Sequence, residues 1–161
     1  MIPMHKVPLS KTKIETKLAI IREAVTELSE IGRKHTQGQF VNDREKFAFA
    51  EHYLRRALEA VFDIGGHIVS RFPYSPGKRP KSIKEIAIEL GNKKIVDLKF
   101  AEDKLVEMAG YRNRLVHFYE EITPKELYQI ITQNLNDLEI FVRSVIEVVN
   151  SPENVGLDID G

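Results

Sequence analysis

The sequence predicts an all-α protein, an antiparallel up-and-down bundle of four to five helices. Three observations predict it. Apolar residues recur at three- and four-residue steps along every long segment. Capping residues stand where those segments begin. No stretch alternates with the two-residue period of a half-buried strand.

Ser10 is placed to cap a first helix reaching about Lys34, with Ile14, Leu18, Ile21, Val25, Leu28 and Ile31 as its buried stripe. The Gly32 to Gly38 region ends it. Asn42 or Asp43 caps a second long helix, whose apolar face runs from Phe47 through Ala50, Leu54, Leu58 and Val61 to Ile68. Between Arg71 and Pro80, three prolines and one glycine break regular structure. Ser82 and Glu85 then have the spacing of a capping box, opening a short helix that Gly91 is expected to stop. A fourth helix is predicted from Asp97 or Ala101 to about Tyr119. A last one starts at the Thr123-Pro124-Lys125-Glu126 box and continues through Val149. Residues 1–161 are expected to make a single domain, with 1–9 flexible and 151–161 frayed, because that tail carries two glycines, a proline and several acids.

Composition narrows the function. The 24 basic residues balance the 24 acidic ones, so no global field draws the molecule to nucleic acid or membrane, and any such contact must come from a local patch. Cysteine is absent, which excludes disulfides, thiolate nucleophiles and Cys-based zinc sites, and fits a cytoplasmic location. The start of the chain has no apolar run typical of a secretion signal, and no segment has the length of apolar sequence that spans a bilayer. The five histidines form no H-x-x-x-H pair, and no G-x-S-x-G elbow is present, so neither a metal site nor a serine hydrolase is expected.

The chemistry concentrates in the fourth helix. On a helical wheel, Ala101, Leu105, Met108, Ala109, Leu115, Val116 and Tyr119 share one arc, and Arg112 falls near its middle. A guanidinium on an apolar face needs either a carboxylate partner or an anionic ligand, because it cannot shed its charge. Gly110, Asn113 and His117 form a second stripe, where Asn113 stands four residues from His117 and is placed to orient the imidazole. Gly110 leaves room for close approach by a second chain or a substrate. Lys78, Arg79, Lys81 and Lys84 cluster between the second and third helices as a candidate RNA-attracting patch, with a solvated loop as the alternative.

Together, Arg112-Asn113, His117 and Tyr119 spell R-N-x-x-x-H-x-Y, preceded by Met108-Ala109-Gly110-Tyr111. This string resembles the R-x4-H-x-Y signature of HepT-like toxins in the HEPN superfamily. The resemblance implies a metal-independent endoribonuclease without a cofactor. It implies the toxin component of a type VII toxin–antitoxin pair, acting as a homodimer with a minimal nucleotidyltransferase antitoxin as partner. In that picture His117 is the general acid or base, Arg112 stabilises charge on the phosphate, and Tyr119 receives AMP from the partner. RNA is the implied substrate, since only RNA carries the 2′-hydroxyl. On an ideal helix Arg112 and His117 diverge by roughly 140°. A shared site therefore requires two pooled motifs or a helix that loosens near His117. The alternative is a non-catalytic helical subunit that binds a nucleotide or a nucleotidyltransferase.

Overall fold

The computed structural model describes residues 7–117 and 121–161. Its helices are α1 (Lys11–Lys34), α2 (Gln37–Val41), α3 (Arg44–Val69), α4 (Ile83–Asn92), α5 (Leu98–Phe100), α6 (Val106–Val116), α7 (Pro124–Gln133) and α8 (Leu135–Asn150). A π-helical turn, Ala101–Leu105, joins α5 to α6 without a break. The protein is all-α, with α1 and α3 as the central pair. α7 and α8 pack on α1, α4 and α6 pack on α3, and the π-turn packs on α4. The core is one cluster, in which Ile14, Ile21, Leu28, Phe40, Leu105, Leu127 and Phe141 are fully buried. No described helix is long and apolar enough to cross a membrane.

The expected caps form. Ser10 Oγ accepts from Lys13 N–H, Asp43 from Lys46 N–H and Asp97 from Phe100 N–H, each satisfying a helix-start donor with no intrahelical partner. Four boundaries differ from the sequence expectation. The Gly32–Gly38 region, expected only to end the first helix, runs into a further helix, α2, which Thr36 and Gln39 open with a reciprocal capping box. Gly91 does not stop α4. It lies inside the helix, where a Cβ would stand 2.7 Å from Ala101 Cβ. The chain instead reverses at Lys94 (φ 63°), with Ile95 N–H donating back to Leu90 O at 2.9 Å.

The last helix is two helices, because Asn134 (φ −119°, ψ 1°) leaves helical geometry and starts α8. The fourth helix ends at Val116, three residues before the predicted Tyr119.

The tail predicted to fray is ordered. Pro152–Val155 form a 3-10 turn, Pro152 and Leu157 are buried, and Ile159–Asp160 (β2) pair in parallel with Leu9–Ser10 (β1). Gly156 supplies the left-handed turn that brings the strand back (φ 75°). Apolar anchors thus override the glycines and acids that read as disorder. Of the N-terminal 1–9 predicted to be flexible, residues 1–6 lie outside the described residues, whereas Leu9 is fully buried. His67, buried in α3, accepts from Ser10 N–H through Nε2 at 2.9 Å, and Arg71 Nε donates to Pro8 O at 3.1 Å. The chain start is therefore tied to the end of α3.

Candidate functional site

The motif is carried by α6, which the π-turn feeds. A π-turn inserts an extra residue into the helical register and so changes which side chains face the core downstream. Leu105, Met108 and Ala109 are buried, Tyr111 and Leu115 are half-buried, and Val116 is 39% exposed although the wheel places it in the apolar arc. Tyr111 and Leu115 still pack against the core, while Val116, at the helix end, does not share their burial.

Arg112 is half-buried, as its place on the wheel implies. Among the described residues no carboxylate pairs with it, and its polar contact is a long one, Nη1 to Asn113 Oδ1 at 3.4 Å. Asn113 and Gly110 are exposed, and a Cβ at Gly110 would meet nothing within 4 Å. His117 is exposed and extended (φ −107°, ψ 119°), so it does not continue the Gly110–Asn113 helical stripe that the sequence predicts. The 140° divergence of an ideal helix therefore does not apply to Arg112 and His117. Tyr119 and Phe118 lie outside the described residues.

Sequence reasoning missed Arg114, which braces this end of the molecule. Its guanidinium forks onto the Glu126 carboxylate with two bonds of 2.7 Å, donates to Glu121 O at 3.2 Å, and lies 5.7 Å from the Tyr111 ring centroid. The hydrogen bonds to Arg114 hold the Glu126 carboxyl below the usual carboxylate range. Burial, with Glu126 nearby, pushes the Tyr111 phenol up. The signal was present in the second capping box. Thr123 Oγ1 does accept from Glu126 N–H, but the Glu126 carboxylate is taken by Arg114 across the α6–α7 connection.

Lys78, Arg79, Lys81 and Lys84, the predicted patch, do meet: with Lys93 they line one cleft of about 890 Å³ between the 70–82 loop and α4. No described residue of the motif lines that cleft. Among the described residues no group of three His, Asp or Glu is arranged to hold a metal ion.

Residues 21–145 match the ribonuclease HepT-like family. A tRNA nuclease HepT from Aphanizomenon flos-aquae (strain 2012/KM1/D3) is 29% identical over 132 residues, covering 82% of this chain and 86% of its own. Among solved structures, a chain of the toxin-antitoxin complex MntA-HpeT superposes with a TM-score of 0.71 at 23% identity, over 85% of this chain and 99% of its own. A chain from the complex of tri-AMPylated Shewanella oneidensis HEPN toxin with MNT antitoxin gives a TM-score of 0.68 at 22% identity, over 84% and 97%. These structural likenesses show the HEPN fold.

Proposed function

This chain belongs to the ribonuclease HepT-like family, and we propose that it is a metal-independent RNA endoribonuclease, the toxin of a type VII pair whose antitoxin is a minimal nucleotidyltransferase. The observation that carries this reading is Arg112. Two arginines stand two residues apart on α6; Arg114 is neutralised by Glu126, while Arg112, though half-buried, has no carboxylate partner among the described residues. A guanidinium left without an ion pair is free to take up an anion. A phosphodiester suits the planar guanidinium fork.

In the reaction, the ribose 2′-oxygen attacks the adjacent phosphorus, forming the O2′–P bond and breaking P–O5′. The products are a 2′,3′-cyclic phosphate and a 5′-hydroxyl. A neutral His117 accepts the 2′-hydroxyl proton, a protonated one delivers a proton to the departing 5′-oxygen, and Arg112 stabilises the charge that builds on the phosphate. Two copies of the chain supply both histidine states. Features near the motif support self-association. Phe49 is 41% exposed and its ring stacks on Tyr53 at 4.8 Å, and Val116 and Gly110 lie open. Leu54 of α3 lines a small cavity with Met108 and Tyr111 of α6, so the Phe49–Tyr53 end of α3 lies beside the motif end of α6. Control by the partner would transfer AMP from ATP to the Tyr119 phenol with release of pyrophosphate. The added anion would then occupy the place of substrate phosphate beside Arg112. The sequence string and the tri-AMPylated Shewanella relative support this reading.

Purified protein incubated with tRNA in excess EDTA should cleave it to fragments ending in cyclic phosphate. His117→Ala and Arg112→Ala should each lose at least about a hundredfold in rate. Intact RNA after exposure to unmodified, dimeric protein would overturn the proposal.

A further inference from the structure

The cleft between the 70–82 loop and α4 gathers five cations on one concave surface. Other surface cations pair with carboxylates, as in Lys17–Asp63, Lys34–Glu30, Arg55–Glu51 and Arg114–Glu126. In this cleft, among the described residues, none of Lys78, Arg79, Lys81, Lys84 and Lys93 has a carboxylate within ion-pairing distance, although Glu85 and Glu89 line the same walls. Both acids are otherwise engaged. Glu85 accepts from the Lys81 backbone N–H, and Glu89 accepts from Asn92 Nδ2 at 3.0 Å.

Two of the cations are positioned by rings instead. Arg79 stands 5.9 Å from the Tyr74 ring centroid, and Lys93 stands 5.5 Å from Tyr74 and 5.2 Å from Phe72. A cation–π contact fixes a cation in place without cancelling its charge, which an ion pair cannot do. The Tyr74 hydroxyl is buried at the base of the loop, where burial and the nearby Glu89 carboxylate push the phenol up and keep it neutral. The result is a concave surface with five positive charges left without ion pairs in a molecule of zero net charge.

We propose that this cleft is a second RNA-binding surface, gripping the phosphodiester backbone of the substrate through residues outside the motif. It rests on the proposed action on RNA and extends it. A repeating polyanion suits five cations strung along residues 78–93 around one groove better than a single phosphate does. Four of the five cations are lysines, point charges suited to phosphate, so the grip favours backbone over sequence. No described motif residue lines the cleft, so an RNA has to extend beyond the motif to engage both.

The test uses the variant Lys78→Ala/Arg79→Ala/Lys81→Ala/Lys84→Ala in the full-length protein, with the single variant Lys84→Glu as a second, lighter perturbation. Binding is read by fluorescence anisotropy of a fluorescein-labelled tRNA in a His117→Ala background, and cleavage is read on the same tRNA and on a dinucleotide. The quadruple variant should bind tRNA at least about tenfold more weakly. The slope of log affinity against log salt should become shallower by about 0.7 for each phosphate that the protein no longer neutralises. Its KM for tRNA should rise with kcat retained, and dinucleotide cleavage should be unchanged. Lys84→Glu should show a smaller loss in the same direction. Unchanged tRNA affinity in both variants would overturn the proposal, as would an equal loss on the dinucleotide. So would weakened binding to a nucleotidyltransferase with tRNA binding intact. If wild-type protein cleaves nothing yet the variants still lose tRNA affinity, the cleft reading stands and the nuclease reading falls.

Discussion

His67 and Arg71 stand four residues apart at the end of α3, and Arg112 and His117 stand five apart at the end of α6. The two pairs offer the same chemistry in opposite settings. At the α3 end both side chains are hydrogen-bonded into the surrounding structure. Ser10 N–H donates to His67 Nε2, Ser70 Oγ donates to His67 O at 2.7 Å, and Arg71 donates to Pro8 O and, at 2.9 Å, to Ser70 Oγ. At the α6 end Arg112 has a single long contact with its neighbour, Gly110 is open and His117 is on an extended, exposed backbone. A histidine–arginine pair on a helix therefore says little by itself. What separates the two arginines is whether neighbouring groups use up the guanidinium's donors.

The largest expected effect breaks the comparison in two. Arg112→Ala should cost at least about two orders of magnitude in RNA cleavage and leave stability, read from the urea midpoint, within about 0.5 kcal/mol of wild type. Arg71→Ala should do the reverse, reducing stability by about 1–2 kcal/mol with cleavage per folded molecule unchanged. If both variants lose stability and keep activity, the α6 pair is as structural as the α3 pair.

Acid is the next probe, and it acts on the closed end. Burial, with Arg71 and Lys13 nearby, lowers the His67 pKa from 6.5 to about 4. Between those values the folded protein binds fewer protons than the unfolded chain, so stability is complete above pH 6.5 and falls as the pH drops toward 4. The loss reaches up to about 3 kcal/mol. Urea titrations at about pH 7.5, 5.5 and 4.5 should show this fall. His67→Gln, which keeps an acceptor for Ser10 N–H without a titrating ring, should flatten it. Parallel curves for the two proteins would assign the acid sensitivity to other groups.

Arg114 lies between the two extremes, committed like Arg71 yet placed beside the motif like Arg112. Its fork onto Glu126 joins α6 to α7 on either side of His117. Arg114→Ala should cost about 1–2 kcal/mol, since it removes a partly buried, charge-assisted hydrogen-bond pair. It should also lower kcat by a smaller factor than Arg112→Ala, with KM little changed. Arg114→Lys, which keeps charge but gives up the fork, should restore stability only in part. A kcat loss matching that of Arg112→Ala would make Arg114 part of the chemistry rather than its brace.

Much of this was legible in the sequence because it depends on local rules. The stripes of α1 and α3, the caps at Ser10, Asp43 and Asp97, and the clustering of Lys78, Arg79, Lys81 and Lys84 are short-range patterns that packing preserves. The errors have non-local causes. Gly91 reads as a helix stop but exists to let Ala101 approach. The 151–161 tail reads as frayed until Leu157 and the Leu9–Ile159 pairing are seen. The wheel assumes one register from Ala101 to Tyr119, whereas a π-turn opens that segment and His117 leaves the helix. Arg114 and Glu126 are twelve residues apart across a chain reversal, beyond any helical spacing.

Gly110 gives the smallest effect and the sharpest distinction. Mid-helix glycine is about 1 kcal/mol worse than alanine, and nothing stands within 4 Å of the position its Cβ would take. Within one chain, then, Gly110→Ala should stabilise α6 by about 0.5–1 kcal/mol, read as a higher urea midpoint at low protein concentration. Gly91→Ala, by contrast, should destabilise, because its Cβ would collide with Ala101. If the open face of α6 meets a second copy or an RNA strand closely, the same Gly110→Ala change should weaken dimerisation in sedimentation or raise KM for RNA. A more stable protein with unaltered association and cleavage would mean that nothing approaches α6 closely at Gly110. The openness of that face would then be ordinary solvent exposure, and Arg112 would have to meet its phosphate away from the Gly110–Asn113 face.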